Sequence, residues 1–265
     1  MVRVLLVSCL LVLLAVPVAA QAPGRGDPGG AVFLLVNYDR EPGADGQFRS
    51  HAMGTGFFIA PDGRALTASH VVYAAVHYPD KYRLLAIVGR EFYDAAVVCA
   101  SRLPYDPTKG DANLVGIQAT RDVAEVKLSP TTAFEGRTDE LYLSPRTGPR
   151  LIWATAHKEA LPAFPYLTLG AATGSYARVR VIGFGMISVI PERWASEGRV
   201  DRAYSAPDGT PLFDVASSNP AQPGDSGAPV LNDRDEVVGI WAWHYYDQPT
   251  MGTMEGSAAF QTPCR

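Results

Sequence analysis

Short apolar runs recur along the chain, and most of them end at glycine, proline, aspartate or asparagine. The 25 glycines and 21 prolines make turns frequent, and long runs with helical periodicity are scarce. Many short runs with regular turn signals are typical of antiparallel β proteins, so we predict an all-β sandwich or pair of barrels. One or two helical turns are predicted at residues 70–77.

The apolar runs give the order of the expected strands. An Asp62-Gly63 turn is of the kind that joins hairpin strands. Residues 130–149 are turn-rich and predict a long connection between two lobes. The predicted strands are residues 31–38, 52–60, 66–70, 84–88, 95–99, 123–128, 151–156, 176–183, 212–215, 228–231, 237–243 and 257–260.

The N-terminal twenty residues have the pattern of a secretory signal peptide. Arg3 supplies the positive charge and Val4–Val16 is the apolar region. Val18-Ala-Ala20 offers a small-residue cleavage site, with Ala20-Gln-Ala22 as a second option. A membrane anchor needs about 20 apolar residues, and Pro17 interrupts this run too early. We therefore predict a signal peptide at 1–20, a flexible leader at 21–30, and a secreted or periplasmic protein without stable membrane insertion.

Charge and cysteine usage exclude several function classes. The net charge is -4 and the chain has no polybasic segment, so a nucleic-acid partner is not expected. No cysteine or histidine cluster has the spacing of a metal site, and no cofactor is implied. After signal cleavage, Cys99 and Cys264 remain, and export permits a disulfide between them. Two separate thiols are the alternative, which sequence leaves open.

Ser226 has the surroundings that a nucleophilic serine requires. It follows Asp225 in the small-residue stretch Gln222–Val230, which permits a tight backbone path. A serine hydroxyl is a weak nucleophile, so a hydrolase must place it beside a base and face backbone N–H groups toward the attacked carbonyl. The alternative for this stretch alone is an ordinary turn before a strand.

Two further segments decide between these alternatives. His70 ends the segment from Gly54 to Val72, which reads as a hairpin closing in Thr-Ala-Ser-His. Asp122 is followed by alternating apolar residues up to Leu128. Together with Gly-Asp-Ser-Gly at Ser226, these segments resemble those of trypsin-like (chymotrypsin-fold) serine peptidases, in the same order along the chain.

The resemblance implies a fold and a set of roles. The fold would be two six-stranded antiparallel β-barrels in a domain at 31–265, with lobes near 31–130 and 150–261 and the active site in the cleft between them. Ser226 would attack the substrate carbonyl, His70 would act as base, and Asp122 would orient the histidine. The backbone N–H groups of Gly224 and Ser226 would form the oxyanion hole. Asp106 and Asp111 remain alternatives for the third residue.

The resemblance also locates a substrate pocket. It places Pro220 at the pocket base, six residues before Ser226, and a neutral proline argues against a preference for Arg or Lys. Ala242, Trp243 and His244 would form a wall, so a small or medium apolar side chain is expected. The alternative for Trp241 and Trp243 is ordinary barrel core.

The expected function is that of an exported serine endopeptidase acting on protein or peptide substrates through an acyl-enzyme. The alternatives are an inactive binding protein of the same fold and an esterase-like hydrolase. In activated relatives the position of Asp225 pairs with a new N-terminal amine, but this sequence has no matching start, so Asp225 is expected to have a structural role. His51, His77 and His157 are expected to be surface or core residues.

Overall fold

The computed structural model describes most of the chain between Asp27 and Gly256. Several predicted features lie outside the described residues: the signal peptide, residues 21–26 of the leader, Asp106, Asp111, Pro220, the strand at 257–260 and Cys264. The described residues are 27–44, 48–103, 121–131, 140–143, 151–171, 173–185, 193–205, 209, 211–218, 222, 224–245 and 248–256.

The described residues form mostly antiparallel β-structure with one α-helix, α1 (Ser69–His77), and a short 3-10 helix (Pro28–Ala31). No helix among them is long and apolar enough to cross a membrane. The strands are β1 (Val32–Asp39), β2 (Ser50–Phe58), β3 (Arg64–Thr67), β4 (Tyr82–Val88), β5 (Glu91–Ala100), β6 (Ala124–Ser129), β7 (Glu140–Leu143), β8 (Leu151–Ala156), β9 (Arg178–Gly183), β10 (Trp194–Ser205), β11 (Pro211–Ser217), β12 (Pro229–Leu231), β13 (Val237–Tyr245) and β14 (Gln248–Gly256).

The first sheet contains eight strands in the order β4-β1-β2-β3-β6-β5-β8-β7. It curls until β4 pairs with β5, so six of its strands follow one another in a ring. β8 pairs in parallel with the first two residues of β5, with Glu91 opposite Thr155. Leu151–Ala156 therefore extends the first sheet, whereas the sequence placed it at the beginning of the second lobe.

The second sheet is a closed barrel in the order β10-β11-β14-β13-β12-β9. Its interior is filled by buried side chains from alternating positions, among them Val181, Val215 and Val230. Trp241 is 4% exposed and belongs to this core, so the barrel-core alternative holds for that tryptophan. The predicted all-β architecture of two barrel-like lobes is confirmed.

The two lobes share apolar contacts. The main core of the first sheet includes Phe33, Phe57 and Phe58, which are fully buried. The same cluster continues into Leu231 and Ile240 of the second barrel. The facing edges of the lobes are thus packed on one another, which holds a site between them in a fixed geometry.

Three strands were not predicted from the sequence: β7, β10 and β14. β7 lies within the stretch that was expected to be a long connection. β10 alternates mostly between exposed and half-buried positions, so its apolar signal is weak. β14 contains a proline and two glycines, counting its closing Gly256, and these are residues that usually mark turns. Pairing with β11 and β13, rather than local preference, makes this segment a strand.

Candidate active site

The junction between β3 and α1 positions His70. The predicted strand at 66–70 ends early, because β3 stops at Thr67 and α1 begins at Ser69. The Ser69 hydroxyl donates to the Val123 carbonyl at 2.8 Å, and this bond ties the first turn of α1 to the segment that precedes β6. His70 therefore lies on a helical first turn, next to the chain that carries Asp122.

Asp122 holds His70 through both carboxylate oxygens. Oδ2 lies 2.6 Å from His70 Nδ1, and Oδ1 accepts the His70 backbone N–H at 2.9 Å. Asp122 is fully buried, while the side chain of His70 is 19% exposed. A carboxylate at Nδ1 favours the tautomer with the proton on that nitrogen, which places the lone pair of the neutral ring on Nε2. A general base needs that form.

Ser226 lies on a tight turn that two glycines make possible. Gly224 and Gly227 have φ values of +102° and +89°, which only glycine adopts without strain. The Gly227 N–H donates to Trp241 O at 2.7 Å, and the Trp241 N–H donates to Ala228 O at 2.8 Å. The turn is thereby fixed to β13.

Thr55 links the histidine half of the site to the serine half. Its backbone N–H donates to Ser226 O at 2.7 Å, and its hydroxyl donates to Gly224 O at 2.8 Å. The same hydroxyl accepts the Phe184 N–H at 3.0 Å. Thr55 is fully buried on β2, so three bonds to the second lobe originate at one residue of the first. Thr55 was not among the predicted site residues, although a threonine between two glycines in an apolar strand is a usable signal.

The space between the halves requires small residues. A Cβ atom on Gly54 would lie 2.5 Å from Val71 Cγ2 and 2.9 Å from Ser226 O. A Cβ atom on Gly227 would lie 2.2 Å from Thr55 O. Only glycine therefore permits β2 and the Ser226 turn to approach this closely.

The backbone N–H groups of Gly224 and Ser226 find no hydrogen-bond acceptor within the described part of the chain. They flank Asp225, whose own N–H donates to Gln222 O at 3.1 Å. Two such backbone N–H donors on either side of one residue can bind an oxygen that carries negative charge.

Asp225 is buried directly beside Ser226. Its Oδ1 accepts the Trp194 indole N–H at 2.7 Å, and its Oδ2 accepts the Gln222 N–H at 2.7 Å. Burial raises the pKa of Asp225 to about 7, and the two hydrogen bonds counteract this rise in part. These contacts agree with the structural role expected for Asp225, but no sequence motif pointed to Trp194 as its partner.

The predicted pocket residues are only partly described. Ala242 is buried on β13, while Trp243 and His244 follow it on the same strand, opposite Thr253 and Gly252 of β14. Pro220 lies outside the described residues, so the pocket base stays a prediction. Cys99 is disulfide-bonded, but Cys264 lies outside the described residues too, and their pairing also stays a prediction.

The other histidines lie apart from this site. His51 pairs with Asp39 at 2.5 Å. The ring of His77 stacks on Tyr73, with 3.8 Å between centroids. In the described ranges, no group of three or more His, Cys, Asp or Glu side chains could hold a metal ion.

His157 makes two contacts in the first lobe. Its ring stacks on Tyr93 with centroids 4.7 Å apart, and its Nδ1 lies 3.3 Å from a Glu91 carboxylate oxygen. These are the contacts of a packed, partly exposed histidine, as the sequence analysis expected.

Comparison with known proteins identifies the fold and the family. The Rv3671c protease from M. tuberculosis in its active form superposes with a TM-score of 0.54 at 19% identity, covering 89% of this chain and 81% of that one. Its inactive form gives a TM-score of 0.52 at 20% identity, covering 89% of each chain. At such identity the likeness shows the fold alone, which is the chymotrypsin-like pair of barrels.

A search of curated proteins finds no match. Residues 54–240 match the family model of the trypsin-like peptidase domain, and this range contains His70, Asp122 and Ser226. The match covers more than half of the 265 residues. The chain therefore belongs to the trypsin-like peptidase family.

Proposed function

We propose that this chain is an exported serine endopeptidase that uses His70, Asp122 and Ser226 as its catalytic residues. The observation that carries the proposal is the double contact of the buried Asp122 carboxylate with the ring and backbone of His70. A buried carboxylate at Nδ1 of a part-exposed histidine orients the ring as a base and stabilises the imidazolium that forms when the base takes a proton. Membership of a peptidase family supports the same conclusion.

The reaction would proceed through an acyl-enzyme. His70 Nε2 takes the proton from Ser226 Oγ as that oxygen bonds to the scissile carbonyl carbon. The N–H groups of Gly224 and Ser226 bind the oxyanion, each donor being worth about 3–4 kcal/mol in related enzymes. The C–N bond breaks as His70 returns its proton to the leaving amine. Water then attacks the ester by the same route and releases Ser226.

The substrate is proposed to be a protein or peptide with a small or medium apolar residue before the cleaved bond. Ala242 contributes no charge and is buried, and Pro220 supplies no carboxylate for a basic residue. Profiling of cleavage sites with a peptide library tests this specificity. A dominant preference for Arg or Lys contradicts it.

Labelling with a fluorophosphonate probe tests the nucleophile. The mature wild-type protein is expected to react at Ser226, and Ser226→Ala is expected to remain unlabelled. Ser205→Ala is the matched control, because Ser205 is an exposed serine at the end of β10 and its loss leaves labelling unchanged. Label retained in Ser226→Ala refutes the assignment. His70→Ala is expected to lose nearly all labelling as well.

The same protein distinguishes the alternatives. Cleavage of ester but not amide substrates supports the esterase-like hydrolase. A folded wild-type protein that neither reacts with the probe nor cleaves peptides supports the inactive binding protein. Export is tested separately, by N-terminal sequencing after expression with the leader: a mature protein beginning near Gln21 in the periplasm or medium is expected, and an intact Met1 in the cytoplasm contradicts export.

A further inference from the structure

The carboxylate beside Ser226 is held by neutral donors. Asp225 is 1% exposed, and its two described partners are the Trp194 indole and the Gln222 backbone. A buried carboxylate usually pairs with a cation, because desolvation penalises the charge strongly. Within the described ranges, no charged side chain contributes to the pKa of Asp225. The indole N–H is therefore the side-chain donor that stabilises this charge among the described residues.

The second barrel is shaped to accept the indole–carboxylate pair. Trp194 is the first residue of β10 and lies opposite Gly183 of β9. A Cβ atom on Gly183 would lie 2.8 Å from Asp225 Oδ1. A Cβ atom on Gly185 would lie 2.5 Å from Trp194 Nε1 and 3.0 Å from Asp225 Oδ1. Glycine at both positions leaves the room that the hydrogen bond occupies.

This contact reaches the proposed oxyanion donors through the backbone. Asp225 Oδ2 accepts the Gln222 N–H, and the Asp225 N–H donates to Gln222 O at 3.1 Å. The carboxylate and the backbone of Asp225 together therefore hold both ends of the turn from Gln222 to Asp225. Gly224 and Ser226 directly flank Asp225 within that turn. The carboxylate is therefore placed to hold the direction of both N–H groups.

We propose that Trp194 is a positioning residue for the proposed peptidase reaction: its indole N–H holds the Asp225 carboxylate, and through it the turn that carries Ser226. The proposal rests on the proposed function only for its effect on catalysis.

The contact makes the turn sensitive to pH. Among the described residues, the Asp225 carboxylate faces Gly183 at the end of β9, Gly185, Trp194 of β10 and the Gln222 backbone, and none of these groups carries a charge. Both oxygens of the ionised carboxylate accept N–H bonds, and a proton on either oxygen removes one of them. Because the indole bond favours the ionised form, its loss raises the pKa of Asp225 further.

Trp194→Phe tests the proposal, since it removes the donor and keeps an aromatic ring. Tyr204→Phe is the matched control, because Tyr204 lies on the same strand as Trp194 and its hydroxyl is 3.2 Å from Oδ1 of the Asp214 carboxylate on β11. The rate of fluorophosphonate labelling is measured from pH 5 to 9 for each variant. Loss of a hydrogen bond that favours the ionised carboxylate raises its pKa, so Trp194→Phe is expected to move the acid limb of the labelling rate up by about 1–2 pH units.

The outcomes separate the possible roles of Trp194. A raised acid limb in Trp194→Phe, with Tyr204→Phe superposing on wild type, supports the proposal. Because His70 keeps its Asp122 partner in this variant, the shift reports Asp225. A uniformly lower rate with an unmoved limb means that the indole only packs, and it overturns the proposal. Absence of labelling in the wild type contradicts the proposed function. The role of Trp194 is then decided by a second measurement, which follows unfolding rather than labelling.

The second measurement does not depend on activity. Urea unfolding of Ser226→Ala, with and without Trp194→Phe, is compared at pH 5 and pH 8. The folded-state pKa of Asp225 is higher in the Phe variant, so the loss of stability is larger above that pKa, where the carboxylate is ionised, and smaller at pH 5, where it is protonated. Equal losses at both pH values overturn the proposal, whatever the protein catalyses.

Discussion

Two buried aspartates, one in each half of the site, are used in different ways. Asp122 accepts two N–H groups of a single residue, His70, and so fixes one side chain. Asp225 accepts N–H groups from Trp194 and Gln222, which lie on different segments, and so fixes a stretch of backbone. The first partner can take up a proton and share the charge, whereas the second pair of partners cannot. The histidine half is therefore organised around one hydrogen-bonded pair of side chains, and the serine half around the shape of a turn.

The largest effect on activity is expected from a substitution in the histidine half. In Asp122→Asn the amide cannot serve as the anionic acceptor of the Nδ1 proton, so the ring no longer holds the required tautomer and the imidazolium loses its stabilising charge. The corresponding change in a well-studied serine peptidase lowers kcat about 10⁴-fold, and a similar loss is expected here. Steady-state cleavage of a peptide substrate measures it.

Asp111→Asn is the control for this experiment, since Asp111 is the alternative that sequence left open. Its kcat is expected to equal that of the wild type. A collapse of activity in Asp111→Asn alone would transfer the orienting role to Asp111.

The next largest effect is expected from a substitution that distorts the backbone of the serine half. Gly227→Ala places a Cβ atom 2.2 Å from Thr55 O at a φ of +89°. Strain and overlap together are expected to cost about 3 kcal/mol or more of unfolding free energy and to abolish labelling of Ser226. Urea denaturation measures the first quantity.

Gly89→Ala is the matched control for the glycine. Gly89 has a φ of +62°, and nothing lies within 4 Å of its would-be Cβ atom. It is expected to cost only the conformational strain, about 1–2 kcal/mol. Equal costs at the two positions would show that the approach of Thr55 does not constrain the turn.

Sequence predicted the local parts of this molecule better than the non-local ones. β1, β4 and β13 were found because each is an apolar run of strand length between turn residues. β10 was missed because few of its side chains are buried, and β14 was missed because its glycines and proline resemble a loop. Both segments are strands only through their pairing with other strands of the closed barrel.

The site shows the same division. His70 and Ser226 lie in local motifs that a reader of the sequence can find. The residues that hold these segments in place do not lie in local motifs. The hydrogen bond from Trp194 to Asp225 joins residues 31 apart in sequence, and the bond from Thr55 to Gly224 joins residues 169 apart. No local period predicts such contacts, since they form only when the two lobes and the barrel close.

The predicted disulfide would be a covalent link between the two halves of the molecule. Cys99 lies on β5 of the first sheet, and Cys264 follows β14 of the second barrel in the sequence. A bond between them closes a long loop, and Cys264→Ser is expected to lower the free energy of unfolding by about 2–4 kcal/mol while labelling of Ser226 persists. Peptide mapping without reductant shows the linked peptides directly. An alkylated Cys264 in the unreduced mature protein contradicts the pairing.

The smallest expected effect concerns the non-covalent link. Thr55→Val keeps the shape of the buried side chain but removes the hydroxyl, so Gly224 O loses a donor and the Phe184 N–H loses an acceptor. Unpaired buried groups of this kind cost about 1–3 kcal/mol, measured as the change in urea midpoint against wild type. Thr168→Val is the control, because Thr168 is exposed and the same substitution there is expected to be neutral.

Activity decides what the Thr55 link does. The Thr55 backbone N–H still reaches Ser226 O in the valine variant, so the turn is expected to remain in place. If the halves are organised separately, as the two aspartates indicate, labelling of Ser226 falls only a few-fold, far less than in Asp122→Asn. A loss of labelling as large as that of Asp122→Asn would show instead that the hydroxyl of Thr55, and not Asp225 with its two donors, fixes the direction of the Gly224 and Ser226 N–H groups.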